Sequence, residues 1–257
     1  MVINYMIIYF RGCVVREKLT YISDATETIL KQAGVEYTIL NNESCCGSFL
    51  MRTGFSDDAI EVMKKTLNRF KDTSLEEVKI LVSCAGCYNT FKNDYKELFD
   101  VELDVIHSSE LINQLIIDGY LDVRKTSKKV TYHDPCHLGR HSNMYDEPRE
   151  IINKTSNLVE MSRIREHSRC CGAGSGVKSA YPDTALKIAS KRIQDAEDTG
   201  AEIIATSCSF CVLNLETALK ITLNDLKKTD DNKNKRSLSR VVDITELILM
   251  GLEDEEN

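Results

Sequence analysis

Ten cysteines dominate the chemistry available to this chain. They run as Cys13, the adjacent pair Cys45 and Cys46, then Cys84 and Cys87, followed by Cys136, the pair Cys170 and Cys171, then Cys208 and Cys211. Thiolates are the natural ligands of iron–sulfur and zinc centres and the nucleophiles of thiol–disulfide exchange. Each set of five exceeds the four ligands that a structural zinc site or a cubane 4Fe-4S cluster takes. Neighbours in extended backbone point to opposite sides, so an adjacent pair reaches two metals, or bridges them, more readily than it chelates one. A distorted, non-cubane cluster would use all five thiols. Zinc would leave one thiol over, and zinc in one half stays open as an alternative. The CxxC spacings of Cys84–Cys87 and Cys208–Cys211 suit two thiolates on one metal but also occur in thioredoxin-like sites. Gly47 and Gly172, each directly after a pair, remove a side chain where a bulky inorganic core would approach and permit a left-handed turn.

The order repeats without a leftover. From Cys13 to Cys136 is 123 positions, from Cys45 to Cys170 is 125 and from Cys84 to Cys208 is 124, which predicts two homologous halves. Short β-rich runs precede the cysteines: Met6 to Phe10, Ile80 to Val82, Val130 to Tyr132 and Ile203 to Thr206. Amphipathic helical patterns follow at Lys18–Gln32, Asp57–Phe70, Thr184–Asp198 and Val212–Leu226, with Gly34 and Gly200 as stops. Strand, cysteine and helix in alternation predict an α/β fold of two pseudo-symmetric Rossmann-like halves with parallel strands, the cysteines on the loops after the strands. The polar stretch Asp122–Lys129 divides residues 1–122, the first repeat, from 123–257, the second repeat with a C-terminal helix at Ile244–Leu252. Lys227 to Arg240 reads as a solvated loop, and Glu253–Asn257 as a frayed end.

Composition narrows the class. With 257 residues, 42% hydrophobic and 28% charged, the chain can bury a sizeable core. A net charge of -7 with no Lys/Arg-rich block argues against nucleic acid as a partner. The apolar opening MVINYMIIYF lacks a basic leading segment and is too short to span a bilayer, so it reads as a buried strand and not a signal. No segment is long and apolar enough for a direct membrane span, and clustered cysteines without a secretion signal fit a reducing, cytoplasmic setting.

The order Cys, CCG, CxxC, twice over, resembles the cysteine-rich CCG domain, found in the B and D subunits of heterodisulfide reductase and in the iron–sulfur subunits of glycolate oxidase, lactate utilisation and anaerobic glycerol-3-phosphate dehydrogenase. The segments HDPCHLGRH at His133–His141 and SRCCGAGSG at Ser168–Gly176 are similar to the branch that holds the heterodisulfide reductase D subunits and the flavin-partner proteins. The resemblance implies two 4Fe-4S clusters of non-cubane type. Cys13, Cys45, Cys46, Cys84 and Cys87 would ligate one, and Cys136, Cys170, Cys171, Cys208 and Cys211 the other. It further implies a catalytic subunit that reduces a disulfide of the coenzyme M–coenzyme B type to two thiols, as in methanogenesis. Two alternatives stand beside it: an electron-transfer subunit of a flavin-dependent 2-hydroxy acid or glycerol-3-phosphate dehydrogenase, and a non-catalytic cluster-bearing redox sensor. Ser175 and Ser209 depart from the glycine and proline common in relatives. No ferredoxin-type CxxCxxC run occurs in this chain, so an iron–sulfur or flavin partner is expected to deliver electrons.

Reduction of a disulfide takes two electrons and two protons. His133, His137 and His141 cluster around Cys136, and His133 and His137 are the candidate proton donors. The competing reading has these rings capping a helix that begins near Leu138 or bonding carbonyls. Arg140, Arg149 and Arg169 are read as solvated, with Arg169 closest to a cysteine pair. Lys178 after CGAGSG lacks the Gly-Lys-Ser/Thr ending of a phosphate loop.

Overall fold

The computed structural model describes residues 6–71, 73, 78–228 and 237–252, with the side chains of 225–228 left aside. Among the described residues, eight strands form two four-stranded sheets, every pairing parallel. In the first, β1 (Met6–Phe10) lies between β2 (Tyr37–Thr38) and β3 (Val78–Val82), and β4 (Val105–His107) borders β3. In the second, β5 (Lys129–His133) lies between β6 (Asn157–Leu158) and β7 (Ile203–Thr206), and β8 (Arg240–Asp243) borders β7. The order is the same in both halves. The central strands are buried almost throughout, as parallel strands covered by helices on both faces must be.

Each cysteine group sits beyond the carboxyl end of a strand: Cys13 and Cys136 after β1 and β5, the pairs after β2 and β6, the CxxC units after β3 and β7. At this edge the loops of an open parallel sheet converge. The two halves are packed into one body. The last helix, Ile244–Leu252, lies against Thr20–Gln32 of the first half, and Ser108–Ile117 lies against Asp146–Thr155. Both large apolar clusters contain side chains from both halves.

The amphipathic patterns resolve as Thr20–Gln32, Ser56–Lys71, Pro182–Glu197 and Ser209–Lys228, and the last helix as Ile244–Leu252. Three expectations change. The Lys18–Gln32 pattern is broken at Leu19, which separates Cys13–Lys18 from Thr20–Gln32 and closes the first helix with its own amide. The polar run from Lys227 does not end in loop at Arg240: that residue opens β8, because Val241 and Val242 add a parallel edge to β7. No helix begins near Leu138, where the chain makes successive turns through Asn143 at φ 56°, and the next helix starts at Asp146. Glu253–Asn257 lies outside the described residues. Among the described residues, no helix is long and apolar enough to cross a membrane.

Candidate metal centre

All ten cysteines line one cavity between the halves, open to solvent at its mouth. Gly12, Val14, Phe49, Arg52, His137 and Phe210 are also in its wall, and among the described residues no acidic side chain is. The thiols form a nearly continuous run. The Cys46 and Cys87 sulfurs are 3.3 Å apart, and Cys45 interacts with both Cys13 and Cys46. Cys87 continues to Cys84, Cys84 to Cys208 across the two halves, then Cys211, Cys171 and Cys170. Cys136 completes the second set, close enough to Cys171 for their charges to interact.

Sulfurs packed this closely lower the pKa of three of the thiols and raise that of those beside them. Hydrogen bonds from Cys13 and Cys46 pull the Cys45 thiol far down; Cys208 and Cys87 do the same for Cys84, and Cys170 and Cys211 for Cys171. Their partners Cys13, Cys46, Cys87 and Cys170 are pushed up, each first by the sulfur it bonds. Burial is the leading cause at Cys136. Thiolates held among thiols are ready for soft metal, which displaces the remaining protons. The backbone also supplies donors, with Gly47 N 3.4 Å from Cys45 Sγ and Gly172 N 3.3 Å from Cys170 Sγ.

This donor set fits an iron–sulfur cluster in each half: five sulfurs apiece, no competing carboxylate, and small residues where bulk would intrude. A Cβ on Gly12 would stand 3.3 Å from Cys87 Sγ. Gly47 and Gly172 adopt φ of 88° and 84°, a region that costs any other residue about 1–2 kcal/mol.

The histidines part ways. His137 lines the cavity, with its ring 5.2 Å from that of His141, and burial holds its pKa below the usual value. His133 is fully buried and lies with Cys171 and Cys211 so that their ligand atoms are all within 4.8 Å of one another. The arginines differ from the solvated expectation at one position. Arg149 is 6% exposed and grips Asp134 through two bonds of 2.7 and 3.0 Å, with Glu160 on its Nε. Asp134 directly follows β5, so this pair fixes the HDPC turn. Arg140 is exposed and holds the Ser168 carbonyl at 2.9 Å. Arg169 is paired with Asp195. Ser175 lies in the cavity wall at φ 51°, and the buried Ser209 hydroxyl faces the Cys84 sulfur from the other half. Arg192, fully buried with its Nε 3.1 Å from His133 Nδ1, is invisible to motif reading, because one cation in an amphipathic helix looks like a surface residue.

Comparison with known proteins agrees with this constellation. The profile of the CCG cysteine-rich domain matches twice, at residues 7–92 and 130–216. The chain belongs to the CCG cysteine-rich family. Among members of that family, the D subunit of the dihydromethanophenazine:CoB–CoM heterodisulfide reductase from Methanosarcina acetivorans is 41% identical over 218 residues, covering 81% of this chain and 53% of that protein. The B subunit of the CoM/CoB fumarate reductase from Methanothermobacter marburgensis is 33% identical, over 96% of this chain and 46% of its own length. The EtfAB:quinone oxidoreductase of Syntrophomonas wolfei is 30% identical, over 82% of this chain and 31% of its length. The chain thus spans about half the length, or less, of these CCG-family relatives.

Proposed function

We propose that this chain is the disulfide-reducing component of a heterodisulfide reductase-like complex. Cys13, Cys45, Cys46, Cys84 and Cys87 hold one non-cubane 4Fe-4S cluster, and Cys136, Cys170, Cys171, Cys208 and Cys211 hold the other. The observation that carries the reading is the convergence of both thiol sets on one solvent-open cavity, joined at Cys84 and Cys208. A structural metal site would be closed and four-coordinate. The names of two relatives, both of which include CoM and CoB, support a thiol/disulfide pair of that kind as the substrate.

The overall conversion is RSSR + 2 e⁻ + 2 H⁺ → 2 RSH. Clusters bound in the two halves would supply the electrons one at a time, refilled by an iron–sulfur or flavin partner. The rest falls to side chains. Phe49, Phe210 and Val14 present an apolar mouth that excludes water from a bound disulfide. Arg52, held by Asp94 at 2.8 Å, is the cation in the wall and suits an anionic substrate tail. His137 faces the cavity and His141 backs it, placing a proton carrier where the product thiolates form.

A second reading is electron relay to a flavin dehydrogenase, favoured by the match to the EtfAB:quinone oxidoreductase. Electron paramagnetic resonance of the anaerobically reconstituted chain separates the two. Disulfide reduction predicts a signal that appears on adding coenzyme M or coenzyme B thiol and changes with their mixed disulfide. Signals indifferent to every thiol and disulfide would leave the relay.

A further inference from the structure

Behind the repeated cysteines the two halves diverge. Ser56–Lys71 and Pro182–Glu197 are both 16 residues long and bury equivalent positions: Ala59, Met63, Thr66, Leu67 and Phe70 against Ala185, Ala189, Arg192, Ile193 and Ala196. At the third position the first half has Thr66, whose hydroxyl donates to the Cys45 carbonyl at 2.8 Å. The second half has Arg192, 0% exposed and the largest fully buried side chain described. Its room comes from lost aromatic bulk. Phe10, Phe70 and Phe91 pack edge to face, with centroids 4.8 to 6.1 Å apart, whereas the corresponding residues are His133, Ala196 and Leu215.

Arg192 Nε donates to His133 Nδ1 at 3.1 Å, and its Nη1 donates to the Arg163 carbonyl at 2.9 Å and to Asp195 at 3.4 Å. Asp195 is shared with Arg169, 2.9 Å away. Two cations therefore divide one carboxylate, and Nη2 of Arg192 has no partner. An arginine Nε only donates, so His133 Nδ1 carries no proton and the ring's proton sits on Nε2. A neutral ring protonated there has no free lone pair for a metal. It is a donor, and the Cys171 sulfur, within 4.8 Å of a ring nitrogen, is the ligand atom it faces. Buried positive charge is thus led through one imidazole to a ligand thiolate of the second set. In the first half the equivalent place is occupied by Phe10, which donates nothing.

Reducing an iron–sulfur centre adds negative charge, which a hydrogen bond to a ligand sulfur and a nearby cation in a low dielectric both stabilise. We infer that Arg192, acting through His133 on Cys171, sets the second-half cluster at a higher reduction potential than the first, so that electrons pass from the first half to the second. Arg192 is a positioning residue. The inference rests on the cluster reading above.

The test is an anaerobic redox titration of the cluster-loaded protein followed by electron paramagnetic resonance, with iron and sulfide measured on the same samples. The wild type should show two separated one-electron steps. Arg192→Met should move the higher step down toward the lower one and leave the lower step in place, with iron and sulfide unchanged; Arg192→Lys should move it less. Arg169→Gln, at the partly exposed end of the chain, leaves Asp195 to neutralise Arg192 and should shift the same step the same way by a smaller amount, so the test survives if Arg192→Met fails to fold. Coincident steps in the wild type, or variants that move both steps or neither, would overturn the inference while leaving the clusters standing. Protein without iron and sulfide would overturn both.

Discussion

The two halves share a backbone plan and differ in what lies behind it. β1 and β5 each feed a cysteine into the cavity and each pair is followed by a left-handed glycine. Behind the first set lie three phenylalanines; behind the second lie His133, Arg192, Asp195 and Arg169. The strand ends show the same freedom. β4 closes on His107, whose Nδ1 accepts from Ser109 N at 3.1 Å, and β8 closes on Asp243, whose Oδ1 accepts from Thr245 N at 3.0 Å. Both cap the next helix, one as a buried imidazole with its pKa pushed down to about 4, the other as a buried carboxyl pushed up to about 7, in each case first by burial. Convergence of ten thiols constrains the backbone tightly. It leaves the surrounding side chains free to make two like sites electrically unlike.

The strongest way to break the comparison is to remove a thiol. If each set holds one four-iron cluster as proposed, Cys84→Ser or Cys208→Ser should cut iron content by about half and should abolish disulfide reduction. Retention of full iron by either variant would contradict the ligand assignment. Next in size, Phe10→Ala empties the aromatic cluster and should cost about 3–5 kcal/mol in urea denaturation. His133→Ala, at the equivalent place, should instead appear mainly in the redox titration.

Asp243→Asn separates the two capping residues by pH. The raised carboxyl pKa means that the folded chain binds a proton which the unfolded chain, at about 3.9, has released. Stability from this group is therefore complete below about pH 4 and declines as pH rises toward 7. Glu246 and Cys84 face the carboxyl and favour its neutral form. Asparagine keeps the cap, so the variant should match wild type near pH 4 and gain a few kcal/mol by pH 8, at about 1.4 kcal/mol per pKa unit. A gain independent of pH would show that the carboxyl is not the cause. The smallest contrast is between the two CCG glycines. A Cβ at Gly172 meets the Ala185 backbone carbonyl at 2.5 Å, which cannot yield, while one at Gly47 meets the side chain of the buried Met63, which has to repack. Gly172→Ala should be less stable than Gly47→Ala by about 1–3 kcal/mol.

The convergence of the ten thiols was legible because cysteine is rare and its order repeats. The central strands were legible because a parallel strand buried on both faces is a short apolar run, as in Ile80–Val82 and Ile203–Thr206. The edge strands were not: Tyr37–Thr38 and Asn157–Leu158 are two residues long and half exposed, and β8 hides behind a polar run. The Arg149–Asp134 pair escaped notice because its partners are 15 positions apart and only the fold brings them together. Arg192 escaped because its burial depends on phenylalanines missing from the second half, a comparison that needs the two helices in register.

Anaerobic purification followed by measurement of iron, acid-labile sulfide and zinc bears most directly on the ten-thiol cavity. Two four-iron clusters require about eight irons and about eight sulfides per chain, with zinc absent. Stoichiometric zinc without sulfide would contradict them.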